Sequence, residues 1–115
     1  MIQINPRQEI EARENMRGGT GKVFVRHYLK PEDIHARTRL CAELTLPPGT
    51  SIGEHVHADE DEIFLVQKGK GTMTDGGQKI TIEPGDAILT GQGSAHSIQN
   101  TGTEDLIVTA IIIKY

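Results

Sequence analysis

Gly49-Thr-Ser-Ile-Gly-Glu-His55-Val-His57-Ala-Asp-Glu-Asp-Glu62, running on through Ile63-Phe-Leu-Val66 to Gly69, is the stretch on which fold and site both turn. Alternate residues of a strand point to the same face, so His55 and His57 project together. Ala58 to Asp61 is polar enough for a connecting loop. Glu62 then opens the next apolar run, from which its carboxylate can turn back toward the same point. Glu60 and Asp61 compete with it at a small shift of register; Glu62 is preferred because it directly precedes Ile63–Val66 and shares their strand. A second stretch, Gly85 and then Gly91-Gln-Gly93-Ser-Ala-His96-Ser-Ile-Gln-Asn100, brings a third imidazole from a separate strand.

Three neutral imidazoles and one carboxylate form a borderline-hard donor set suited to Mn(II), Fe(II), Co(II), Ni(II) or Zn(II). Four protein ligands on an octahedral ion leave positions for water, O2 or a chelating substrate, which separates such a site from a closed structural one. Singly, a His-x-His on a strand, a Glu after an acidic loop or a His before Ser-Ile is an ordinary strand or surface residue. Here they occur jointly, with glycines at the turns that frame them. His55, His57, Glu62 and His96 are therefore expected to hold one divalent transition metal per chain, with Mn or Fe favoured and Ni, Co or Zn as alternatives.

The rest of the chain reads as strands and turns. Lys22–Leu29 alternates, and Arg37–Leu46 puts Leu40, Ala42, Leu44 and Leu46 on one face against Arg39, Cys41, Glu43 and Thr45 on the other. Pro47-Pro48-Gly49 is a turn, and Asp75-Gly76 marks a hairpin between Gly71–Thr74 and Gln78–Ile82. Ala87–Thr90 and His96–Gln99 follow. Leu106–Ile113 is apolar on both faces and is expected to be buried on both, with a second copy of the chain as the natural cover of the outer one. Roughly eight to ten short strands at near-regular spacing predict an all-β sandwich or barrel. Residues 1–21 differ: Asn5-Pro6 can cap a short helix over Pro6–Met16, stopped by Gly18-Gly19, or the segment is an arm. The division expected is an N-terminal arm, 1–21, and a barrel, 22–115.

With 115 residues the chain is one domain. A net charge of -4, two Phe, two Tyr and no Trp argue against nucleic-acid binding. The lone Cys41 excludes an intrachain disulfide. No apolar stretch is long enough to span a bilayer as a helix, and the N-terminus lacks a signal run, so a cytoplasmic protein without membrane contact is expected.

Gly49, His55, His57, Glu62 and Gly69 stand where the first cupin motif has its conserved residues. Gly85, Gly93, His96 and Asn100 do so for the second motif, in which Gly91 takes the place of a Pro. The chain resembles the small single-domain cupins of the cupin-2 type, including those described as oxalate-decarboxylase-like, over about Arg37 to Tyr115. The resemblance implies a double-stranded β-helix (jelly-roll barrel), commonly dimeric. True oxalate decarboxylase activity is not implied. Those enzymes resemble a duplicated cupin; they carry an Arg three residues before the first motif His, where this chain has Ile52, and a Glu-bearing lid with no equivalent here.

Residues in phase with the ligands should line the barrel: Phe64 and Val66 with Glu62, and Ile98 with His96. Lys22–Leu29 offers either Arg26 and Tyr28 or His27 to the inside, and the row Arg39, Cys41, Glu43 offers a second polar face. A substrate carboxylate would want Arg26 or Arg39, and a proton transfer would want His27, Glu43 or Tyr28. Each of these is more often a surface residue, and Asn100 is expected to fix a turn. The leading expectation is a metal-dependent enzyme of oxygenase, lyase or isomerase type, acting on a small carboxylate or hydroxy-keto compound as a homodimer. The alternative is a non-catalytic module that binds or senses a metal and a small ligand.

Overall fold

The period-two alternation becomes ten strands in the computed structural model, which describes residues 1–115. They are β1 (Ile10–Glu14), β2 (Lys22–His27), β3 (Thr38–Leu46), β4 (Ser51–Val56), β5 (Glu60–Lys68), β6 (Gly71–Asp75), β7 (Gln78–Ile82), β8 (Ala87–Thr90), β9 (Ala95–Gln99) and β10 (Leu106–Lys114). A six-stranded sheet has the order β1-β2-β3-β10-β5-β8, and a four-stranded sheet has the order β4-β9-β6-β7. Every pairing is antiparallel. One cluster of buried apolar side chains draws on both sheets, with Val25, Leu44, Phe64 and Val108 from the larger and Ile52 and Ile98 from the smaller. This is the expected all-β jelly roll. No helix is long and apolar enough to cross a membrane.

Burial follows strand phase. In β3, Ala42, Leu44 and Leu46 are buried, and Cys41, Glu43 and Thr45 lie on the other face, half-buried. In β10 the inward set Leu106, Val108 and Ala110 is fully buried, while Ile107, Thr109 and Ile111 on the outer face are half-buried. Leu106 and Val108, taken fully out of water, contribute about 1.5–3 kcal/mol each, so this central strand supplies a large share of the core. The β6–β7 hairpin closes through Gly76-Gly77, both at positive φ, with Asp75 opposite Gln78. Two consecutive left-handed residues are what a tight two-residue turn between twisted strands requires.

Of the two readings of the N-terminal segment, the helix is not the one that forms. No helix forms over Pro6–Met16; a single 3-10 turn at Asn5–Arg7 leads into β1, which pairs with β2 from Ile10↔Arg26 to Glu14↔Lys22. Ile10 and Ala12 recur at a spacing of two, which suits a strand and not a helix, and the free edge of β2 supplies the partner. Glu11 and Arg13 consequently point to the inner side of the sheet, opposite Val25 and Val23.

After β1 the chain turns through a 3-10 turn at Met16–Gly18 and lies directly on β4. A Cβ at Gly19 would sit 2.2 Å from the Ser51 carbonyl oxygen, and one at Gly53 would sit 2.1 Å from the Arg17 carbonyl oxygen. Only glycine allows this backbone-on-backbone approach. Gly53→Ala should therefore lower stability by about 1–3 kcal/mol, the usual range for overpacking a tight contact. Urea denaturation followed by circular dichroism measures it; an unchanged midpoint would mean that the N-terminal segment does not press on β4.

Candidate metal centre

Two cross-strand pairs set the geometry. β4 and β9 place His55 opposite His96, and β5 and β8 place Glu62 opposite Thr90. His57, just past the end of β4, is fixed by its own backbone: its N–H donates to the Ser94 carbonyl at 3.1 Å, and its carbonyl accepts from Gly93 N–H at 2.9 Å. The first histidine pair is thereby tied to the turn that precedes His96.

The four side chains converge. The Nε2 atom of His96 lies 3.0 Å from Nε2 of His57 and 3.0 Å from Nε2 of His55. Glu62 Oε1 lies 3.0 Å from His57 Nε2 and 2.9 Å from His96 Nε2. The outer ring nitrogens are all engaged. Nδ1 of His55 donates to the Gly53 carbonyl at 2.8 Å, and Nδ1 of His57 donates to Glu60 Oε1 at 3.2 Å. Nδ1 of His96 meets the Thr90 hydroxyl at 2.9 Å. For His55 and His57 the acceptor fixes the proton on Nδ1, so their Nε2 lone pairs point inward. Glu62 Oε1 is buried and receives no hydrogen bond.

Inward lone pairs facing a buried carboxylate repel unless a cation sits among them. Donors at right angles around an ion with bonds of about 2.1 Å lie about 3.0 Å apart; at tetrahedral angles they lie about 3.4 Å apart. The observed separations match the first case. The donor set fits a single metal ion held by His55, His57, Glu62 and His96.

The surroundings hold these ligands in place. Arg39 grips Glu60 through two hydrogen bonds of 2.8 and 2.9 Å, and Glu60 in turn orients His57. The Arg39 guanidinium, helped by His57, holds the Glu60 carboxyl down at about 2. Asp61 points away and accepts a hydrogen bond of 2.6 Å from the Tyr115 hydroxyl. The register question left by the acidic loop is thus answered by geometry: Glu62 faces the centre, Glu60 supports it, and Asp61 faces outward. Phe64 stacks on the His96 ring with centroids 5.2 Å apart. Burial pushes the His55 imidazole below its usual range. Asn100, fully buried, donates to the Leu46 and Glu104 carbonyls at 2.7 and 2.8 Å and accepts from Gly102 N–H, the turn-fixing role expected of it.

The centre opens into a cavity of about 500 Å³. His27 is in phase with Val23 and Val25 and lines it, with Nε2 2.5 Å from Glu11 Oε1 and a buried Nδ1 that has no partner. Arg39 stands at its rim. The structure does not bring Arg26, Tyr28 and Glu43 into it. They form a cluster on the outer face of the large sheet, where Arg26 bonds Glu43 at 2.8 Å and also Gln8, and Tyr28 donates to Glu43 at 3.2 Å. Burial raises the Tyr28 hydroxyl above its usual range. Ile52 is in the apolar core. Sequence reasoning missed the cavity wall supplied by residues 9–17, including Glu11, Arg13, Met16 and Arg17. The Glu11 carboxyl is held below its usual range by Arg13 first and then by His27. The alternation Ile10-Glu-Ala-Arg-Glu14 was the signal that could have found it.

His96→Ala should lose stoichiometric metal while the barrel stays folded, read by metal analysis and circular dichroism; a full equivalent of tightly held metal in that variant would contradict the ligand set. Arg39→Ala, which frees Glu60, should weaken metal affinity about 10–100-fold without abolishing it, the range seen when a ligand's supporting partner is removed.

Comparison with known proteins agrees with this geometry. The family profile Cupin_2, described as "Cupin domain", matches residues 42–112. The chain is 46% identical over 99 residues to a Thermotoga maritima protein named "Oxalate-binding protein", covering 86% of this chain and 82% of the relative. A crystal structure described as a predicted oxalate decarboxylase from Thermotoga maritima superposes with a TM-score of 0.95 at 41% identity over the whole of both chains. The polyketide cyclase RemF from Streptomyces resistomycificus shares the fold, with a TM-score of 0.77 at 18% identity over 99% of this chain and 79% of that one.

Proposed function

The chain belongs to the cupin family, and from that premise we propose that it binds one divalent transition metal, Mn(II) or Fe(II) in preference to Ni, Co or Zn, and uses it to hold a small dicarboxylate of the oxalate class. The observation that carries this reading is the convergence of three imidazole nitrogens and the undonated Glu62 oxygen at one end of a cavity sized for a small molecule. Bound there, the ion supplies a Lewis acid and a fixed docking point for oxygen donors. The protein's share is to desolvate that point with Phe64, Ile52 and Leu44, and to present cationic side chains on the cavity wall. The relative named for oxalate binding supports the ligand class.

A second reading, turnover of a carboxylate or hydroxy-keto compound, is favoured by the His27–Glu11 pair. A short carboxylate–imidazole contact on the cavity wall has the form of an acid–base pair. Under that reading Glu11→Gln would lower product formation without weakening ligand binding.

The outer face of the large sheet supports a homodimer. Cys41, Ile111, Ile63 and Leu89 run as an apolar row across β3, β10, β5 and β8, and Phe24 and Ile107 flank Thr45 in a second row. The row between them carries the Arg26–Glu43 ion pair, Thr109 and Leu65, so the face offers apolar strips flanking a paired charge. Leu65→Arg, on the same face, should shift the mass measured by light scattering toward that of one chain; an unchanged mass would place the contact elsewhere.

Calorimetric titration tests the principal reading. Oxalate should bind Mn(II)-loaded protein and fail to bind protein stripped of metal by a chelator. Equal heats from both would detach the ligand from the metal centre.

A further inference from the structure

Four cationic side chains line the cavity wall or rim: Arg13, Arg17, Lys30 and Arg39. Three already have carboxylate partners. Arg13 meets Glu11 at 3.1 Å, Lys30 meets Glu9 at 3.2 Å, and Arg39 holds Glu60 by two hydrogen bonds. Arg17 has no ion pair or side-chain hydrogen bond, although its backbone is pressed against β4.

That backbone is strained. Asn15 has φ 49° and Arg17 has φ 55°, both in the left-handed region that side chains bearing a Cβ seldom adopt. The strain is held by the surroundings. Asn15 N–H donates to the Gly21 carbonyl at 2.9 Å, and Ser51 N–H donates to the Thr20 carbonyl at 2.9 Å. The Ser51 hydroxyl accepts from Thr20 N–H at 2.9 Å, and the Arg17 carbonyl abuts Gly53. Gly53 is two residues before His55, about 7 Å along the strand. A non-glycine residue kept in a costly conformation beside a site is the kind of outlier that marks a functional position.

We propose that Arg17 is the specificity-determining residue for the ligand of the metal centre, pairing with the outer oxygens of a 1,2-dicarboxylate or 2-oxo acid. This inference rests on the metal and dicarboxylate reading above. A ligand of that class chelates through one oxygen of each of two adjacent groups, which leaves its remaining oxygens on the side away from the ion. A planar guanidinium with parallel N–H donors matches two such oxygens, where an ammonium would meet them as a point charge. Arg17 needs no counterion to be displaced before it can do so. The clamp on Ser51 and Gly53 fixes its main chain to the strand that carries His55.

The test is calorimetric titration of oxalate, with acetate beside it, into the Mn(II)-loaded full chain. Arg17→Gly should keep one Mn per chain and an equal or higher Tm, because glycine accepts the left-handed backbone. Its oxalate Kd should nevertheless rise at least tenfold, while acetate binding stays as in the wild type. Arg17→Lys should recover only part of the loss. Arg13→Ala, whose guanidinium is already paired, should change the oxalate Kd less than Arg17→Gly does. Unchanged oxalate affinity in Arg17→Gly, or a larger loss in Arg13→Ala, would overturn the assignment and leave the metal and ligand reading standing. Absence of oxalate binding by the wild-type Mn(II) protein would overturn that underlying reading itself.

Discussion

Everything near the centre of this fold is organised around one unfavourable contact: the inward lone pair of His57 lies 3.0 Å from the buried Glu62 oxygen, and His55 brings a second lone pair to the same point. In a protein interior such a contact is costly. Each ring is held from its far side, by the Gly53 carbonyl, by Glu60 and by Thr90. None can easily turn to relieve the repulsion. A cation converts this frustrated arrangement into a stabilising one. Metal binding should thus couple to the packing of both sheets, because the ligands come from β4 and the residue after it, β5 and β9.

The glycines carry a related constraint. Gly91 occupies the position where the second cupin motif has Pro, and a Cβ there would lie 1.9 Å from Asp61 Oδ1 and 2.9 Å from the Tyr115 hydroxyl. The Tyr115 hydroxyl also accepts from Gln92 N–H at 2.9 Å. The last residue of the chain therefore ties the turn before His96 to the strand that bears Glu62. In this protein a bare backbone backed by a side-chain latch stands where proline stiffness is usual.

Most of the barrel was legible because strand alternation is strong in β3, β5 and β9, where buried and half-buried residues interleave. The metal ligands were legible because the spacing of His55 and His57 and the start of the Ile63 run each fix a side-chain direction. What escaped depends on tertiary partners. Alternation in β2 allowed either Arg26 and Tyr28 or His27 to face inward; only pairing with β1 and β3 resolves it in favour of His27. Ile10–Glu14 is too short and too charged to declare itself a strand without the edge of β2 to join. Arg17 is invisible to periodicity, since its importance comes from a loop pressed onto Ser51 and Gly53, distant in sequence.

The central claim, a single ion shared by His55, His57, Glu62 and His96, is most directly tested by anomalous diffraction from crystals grown without chelators, with data on both sides of the Mn and Fe absorption edges. The account predicts one anomalous peak per chain, about 2.1 Å from the three Nε2 atoms and from Glu62 Oε1. A density map with the four side chains well ordered and no peak among them, or with the peak on other residues, would contradict it.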